Sequence, residues 1–232
     1  MNMKWCLTGF LLLVLFAGFK LHAQQGDTNS IESIKAKAEK GDASAQCALG
    51  DIYSQAKGVE RNITEALKWY HKAADQDNAQ AEYTIGVCYS YGLGVPQDKI
   101  ESIKWYLKAA NAGLADAQVT LGDYYRNGTG LEKNAAEAAK WYRKAAEQGD
   151  SWSQCQLGVS YYYGDGVPQD FIEAEKWYQM SAKQGYIGAQ YRLGDFYFYG
   201  NGVSQDLGKS LEWYRKAALQ GYEMDLSRRT EI

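Results

Sequence analysis

A Trp-Tyr pair returns every 36 residues along this 232-residue chain, at Trp69-Tyr70, Trp105-Tyr106, Trp141-Tyr142, Trp177-Tyr178 and Trp213-Tyr214. Gly50, Gly86, Gly122, Gly158 and Gly194 keep the same spacing, as do Tyr53, Tyr89, Tyr125, Tyr161 and Tyr197. A fixed period of a few tens of residues marks an array of small units, each stacked on its neighbours. The register divides the chain into five units, 43–78, 79–114, 115–150, 151–186 and 187–222. Residues 31–42, IESIKAKAEKGD, match only the end of a unit, and a lone N-terminal capping helix is expected there. Residues 223–232 follow the last unit as a C-terminal tail.

Each unit reads as two helices. In the first, Ala45, Leu49 and Tyr53 fall four apart, on one helical face. In the second, Ala66, Trp69, Tyr70, Ala73 and Ala74 form the stripe of an amphipathic helix. Asn62, Asp98, Asn134 and Asp170 each precede a Glu by three residues, the capping-box pattern of a helix start. Asp206 keeps the cap with Lys209 in the Glu slot. Gly113, Gly149, Gly185 and Gly221 supply stop signals. The mid-helix glycine of each first helix costs about 1 kcal/mol against alanine. Its recurrence predicts a close approach, with a large aromatic side chain covering it. The expected fold is therefore all-α, a solenoid of five helix–turn–helix units with a capping helix.

The N-terminus has another character. Trp5–Phe19 is an apolar run of 15 residues between Lys4 and Lys20, and Leu21-His22-Ala23 ends on a small residue. This pattern predicts a signal peptide over 1–23, with a mature start near Gln24 and a polar spacer over 24–30. The run is shorter than the roughly 18–20 residues of a membrane span, and an uncleaved anchor is the competing reading. No stable membrane span is expected after cleavage. Residues 1–23 hold two basic residues and no acid, so their removal leaves 23 basic against 28 acidic residues. An acidic chain without a basic run is a poor match for nucleic acid, which requires phosphate neutralisation.

Residues 79–113, AQAEYTIGVCYSYGLGVPQDKIESIKWYLKAANAG, carry a unit nearly whole. It resembles the Sel-one-like repeat (SLR), a relative of the tetratricopeptide repeat, and the resemblance covers about residues 31–222. The resemblance implies a right-handed α/α superhelix and a scaffold or adaptor role in protein complexes. Some cysteine-rich relatives are described as penicillin-binding or β-lactamase-like. This chain lacks the Cys pair that staples each repeat in that branch.

Residues able to carry chemistry are few. His71 is the one histidine beyond residue 23, and Leu107, Arg143, Gln179 and Arg215 fill its slot elsewhere, as on an ordinary helix surface. Ser54-Gln55-Ala56-Lys57 matches S-x-x-K, without an S-D-N or K-T-G companion. Cys47, Cys88 and Cys155 remain after cleavage; Cys47 and Cys155 lie three units apart, beyond disulfide reach, and structural thiols are expected. Asn62-Ile-Thr64 and Asn127-Gly-Thr129 are glycosylation sequons. No metal-ligand spacing and no cofactor motif is present, and no catalytic residue is assigned.

In tetratricopeptide-type solenoids the first helices line a concave groove. Carried over, that geometry assigns to the groove the second, fifth, ninth, twelfth and thirteenth positions of each unit. The candidate partner-binding residues are then Tyr83 and Tyr91, Trp152, Tyr162 and Tyr163, and Tyr191, Asp195, Phe198 and Tyr199. Asp51, Asp123 and Asp195 recur in alternate units and are expected to make the groove mildly acidic. Rigid aromatic side chains suit a protein or peptide partner. They equally suit a glycan, and a cell-wall hydrolase is the third reading. Packing between neighbouring units is the competing explanation for the same aromatics.

Overall fold

A computed structural model describes residues 28–221, so the signal-peptide reading of 1–23 and the tail at 223–232 lie outside the described residues. Eleven helices and no strand occur among the described residues. The first, α1, is Thr28–Glu39. It begins and ends about three residues before the expected 31–42, because the Lys40-Gly41 turn, with Gly41 at φ 97°, separates it from the next helix. The units follow in order: α2 (Ala43–Gln55) with α3 (Ile63–Ala74), α4 (Ala79–Tyr91) with α5 (Lys99–Asn111), and α6 (Ala115–Asn127) with α7 (Ala135–Glu147). Then come α8 (Ser151–Tyr163) with α9 (Phe171–Lys183), and α10 (Ile187–Tyr199) with α11 (Leu207–Leu219). Each helix packs on the helices before and after it in the chain. The result is an all-α solenoid.

Local signals set the helix ends. The side chains of Asn62, Asn134 and Asp206 accept from the backbone N–H three residues on, at 2.9, 3.0 and 2.9 Å. Asp98 and Asp170 each accept two such bonds. Every first helix stops at a left-handed residue, Gly in four units and Ala56 in the first.

The core is built on one recurring contact. Tyr70, Tyr106, Tyr142, Tyr178 and Tyr214 are buried and pack against the mid-helix glycine of their own unit. A Cβ on Gly122 would stand 2.5 Å from Tyr142 Cε1, and one on Gly194 2.4 Å from Tyr214 Cδ1. The glycine brings the two helices of a unit together, and burying a large aromatic side chain stabilises by about 1.5–3 kcal/mol. The unit tryptophan takes a lysine over its ring, with Nζ at 3.8 Å for Lys72 on Trp69 and 4.1 Å for Lys144 on Trp141.

A polar ladder joins the units at their turn end. Gln46, Gln118, Gln154 and Gln190 are buried and donate to the carbonyls of Ala38, Ala110, Ala146 and Ala182 in the preceding second helix, at 3.1–3.4 Å. Each accepts in turn from a glutamine of its own unit: Gln76, Gln148, Gln184 and Gln220 respectively, at 2.8–2.9 Å. Buried amides are thus satisfied across every junction except that between α3 and α4, where Glu82 takes the glutamine slot.

Candidate binding surface

The first helices of successive units touch along one face. Tyr83 of α4 reaches Thr120 of α6 at 3.5 Å, and Ser90 of α4 meets the Tyr124 hydroxyl at 2.7 Å. Arg126 of α6 donates to Gln156 of α8 at 2.5 Å and lies 5.8 Å from the ring of Trp152. Tyr162 of α8 packs on Phe196 of α10, with centroids 6.3 Å apart. This face carries the residues that sequence reasoning proposed for a partner.

The fold sorts those residues into three groups. Tyr162, Tyr163, Asp195 and Tyr199 come together with Tyr178 and Arg192 around a small cleft of about 90 Å³ between the fourth and fifth units. Tyr91, Tyr163 and Tyr199 occupy the same position in their units and are 48%, 60% and 61% exposed, with Asn127 at that position in the unit between Tyr91 and Tyr163. Tyr83, Trp152, Tyr191 and Phe198 are half-buried and engaged. Tyr83 packs on Tyr106, Trp152 on Tyr186, Tyr191 on Tyr214 and Phe198 on Tyr199, at centroid separations of 5.1–6.0 Å. For Tyr83 burial also pushes the phenol up to about 12. The packing explanation therefore describes Tyr83 and Tyr191, which sit on the buried tyrosine of their own unit.

The aspartates expected to make this face acidic are engaged within their own units. Asp51, Asp123 and Asp195 are half-buried acceptors for the hydroxyls of Tyr70, Tyr142 and Tyr214, at 2.8, 2.6 and 2.5 Å. Burial raises the carboxyls of Asp51 and Asp123 above their ordinary range, against the lowering effect of the tyrosine bonds. Asp123 also pairs with Arg126 at 3.3 Å. These carboxylates hold the two helices of a unit together.

Arg192 is the residue that sequence reasoning missed. It lies at the sixth position of the fifth unit, half-buried, where the other units have Ala48, Thr84, Thr120 and Gln156. A cation in a slot otherwise small or neutral was the available signal. Its neighbour Tyr178 faces Val159 in place of an aspartate, so this tyrosine lines the cleft beside the guanidinium. The cleft thus presents phenol rings, hydroxyls and a charged fork of donors.

The residues considered for catalysis are occupied otherwise. Ser54 Oγ donates to the Asp51 carbonyl at 3.0 Å and lies 3.1 Å from the Tyr70 hydroxyl, and Lys57 is exposed in the following loop. His71 packs edge-on against Trp105 of the next unit, centroids 5.4 Å apart, and burial lowers its imidazole. Cys47, Cys88 and Cys155 are free and buried, and burial pushes their thiols up to about 12, 11 and 12. Among the described residues no helix is long and apolar enough to cross a membrane.

The Sel1 repeat family model matches residues 43–78, 79–114, 115–150, 153–186 and 187–222. The chain belongs to the Sel1 repeat family. Its fold is similar to a Sel1 repeat protein from Oxalobacter formigenes, at 33% identity and TM-score 0.78, covering 87% of this chain and 85% of that one. It is also similar to a protective antigen of uropathogenic Escherichia coli displaying an SLR fold, at 42% identity and TM-score 0.79, covering 82% of this chain and 41% of that one. A curated relative is the secretory immunoglobulin A-binding protein EsiB of Escherichia coli O6:H1 (strain CFT073), 42% identical over 71 residues. That match spans 31% of this chain and 14% of EsiB. The Sel1 repeats account for the five Trp-Tyr pairs and for the glycine beneath each tyrosine.

Proposed function

We propose that this Sel1 repeat protein is an exported, non-enzymatic adaptor that binds a protein partner on the face made by its first helices. The observation that carries the reading is the exposed pair Tyr163 and Tyr199 on the Arg192 cleft, with Tyr91 exposed at the same position two units earlier. The Gly–Tyr core does not use these side chains, and large rigid aromatics with an arginine are the residue types that dominate binding energy at protein interfaces. Sel1 repeat relatives named as a protective antigen and as an immunoglobulin A-binding protein support an adaptor role outside the cytoplasm. The glycan and hydrolase readings draw no such support.

Secretory immunoglobulin A is the first partner to try, because the EsiB match supplies it. Surface plasmon resonance with the wild-type chain and with Tyr163→Ala, Tyr199→Ala and Arg192→Ala, each verified by circular dichroism, tests the reading. Loss of a hot-spot side chain costs about 2 kcal/mol or more, so at least a roughly thirtyfold weaker Kd is expected. Equal binding by all variants moves the interface off this face. No binding to the immunoglobulin removes that partner, and the same variants then serve with candidate partners of the exporting cell's envelope.

A further inference from the structure

The repeats serve as controls for one another, and at one junction three positions depart together. Four units carry a buried glutamine at their fourth position; the second carries Glu82. Four units carry a glutamine at their thirty-fourth position to donate to it; the second carries Ala112. Four units carry glycine at the thirty-fifth position; the first carries Asp77, at φ 58°. Asp77, Glu82 and Ala112 converge on one cleft of about 350 Å³, completed by Lys108 and Asn111. It lies at the turn end of the units, on residues separate from those of the Arg192 cleft.

Glu82 is 4% exposed and lines this cleft, and no hydrogen bond or ion pair engages its carboxylate among the described residues. Burial raises its carboxyl above the ordinary range, and the charge of Lys108 on the same cleft works against that rise. The other junctions show what it lacks: an N–H donor from the side, in the place where Ala112 leaves a void. Lys108, a cation on the same cleft, makes no ion pair with Glu82 and holds its Nζ 4.3 Å from the centre of the Trp105 ring. Asp77 adds a second carboxylate and Asn111 an amide oxygen.

We infer that the cleft between α3, α4 and α5 binds a cationic N–H donor, a guanidinium or primary ammonium, which bonds to Glu82 where the other units place a glutamine amide. Charge and donors are both required. Glu82 accepts the N–H bonds, Asp77 contributes field at the mouth, and the absence of a glutamine side chain at Ala112 provides the room. The group arrives either on a free small molecule or as the arginine or lysine side chain of a protein.

The test is an NMR titration of the isotope-labelled chain, following the backbone amides of Asn111 and Ala112. The probes are methylguanidinium, n-butylammonium and a capped arginine peptide, with tetramethylammonium as a cation that has no N–H. Saturable shifts with the first three and none with tetramethylammonium are expected. Glu82→Gln, which installs the side chain found in the other units, is expected to weaken binding at least about tenfold, the worth of a charge-assisted hydrogen bond. Ala112→Gln fills the void and is expected to abolish binding while melting no lower than wild type. Tighter binding of the peptide than of methylguanidinium assigns the site to a protein side chain; equal binding assigns it to a free amine or guanidine. Absence of saturable shifts in wild type, equal response to tetramethylammonium, or unchanged affinity in Glu82→Gln overturns the inference.

Discussion

Replacing Gly122 by alanine would set a methyl carbon 2.5 Å from Cε1 and 2.6 Å from Cδ1 of Tyr142. Carbon atoms in contact prefer about 3.5–4.0 Å, so the ring must retreat by roughly 1 Å. It has little freedom to do so, being 1% exposed and tethered through its hydroxyl to Asp123 at 2.6 Å. Overpacking of this kind costs about 1–3 kcal/mol. Alanine returns about 1 kcal/mol of helix propensity. The net expectation is a loss of roughly 1–2 kcal/mol. Gly208 provides the matched control: it is helical, exposed, and a Cβ there meets only Asp206 Oδ1, at 3.4 Å. Gly208→Ala has the propensity gain without the clash and is expected to stabilise by about 0.5–1 kcal/mol. Urea denaturation followed by circular dichroism, with melting temperatures alongside, measures both. For a chain of this size 1 kcal/mol moves Tm by about 2–4 °C. Gly122→Ala melting at or above wild type would refute the claim that the glycine exists to admit the tyrosine.

Three further outcomes follow from the same contacts. Gln118→Ala removes two hydrogen bonds, to the Ala110 carbonyl and from the Gln148 amide, and is expected to cost about 1–3 kcal/mol in urea denaturation. Because burial raises the Asp51 carboxyl in the folded chain, the folded state binds that proton more tightly than the unfolded one, and ionisation of Asp51 opposes folding. Asp51→Asn keeps an acceptor for Tyr70 and is therefore expected to be more stable than wild type at neutral pH. That advantage should shrink as pH falls through the raised carboxyl pKa, which denaturation midpoints across an acid series will show. The buried thiols of Cys47, Cys88 and Cys155 are expected to resist a disulfide reagent at pH 8 in the native chain and to react in denaturant; rapid native labelling would contradict their burial.

The architecture was legible because it rests on local and periodic information. The caps at Asn62, Asp98, Asn134, Asp170 and Asp206 act within three residues of themselves, and the structure shows each one accepting the expected backbone bond. The Gly–Tyr contact is repeated five times at one spacing, so the period itself announced it. The face proposed for binding was only partly legible. A shared slot says that Tyr83 and Tyr191 are equivalent, and both indeed pack on the tyrosine of their own second helix. It does not say which neighbour a side chain meets across a unit boundary.

By itself the sequence determined the number of units, their helices, the helix ends and the glycine beneath each tyrosine, since these depend on neighbours within one 36-residue period. Only the tertiary structure decided that Asp51, Asp123 and Asp195 are bonded to buried tyrosines, that Arg192 completes a cleft with Tyr162, Tyr163 and Tyr199, and that Glu82 shares a cleft with Asp77 and Lys108. The physical reason is that each of these depends on a second helix or a second unit. What a side chain bonds to there is set by how closely the helices approach and by which residue its neighbour happens to present.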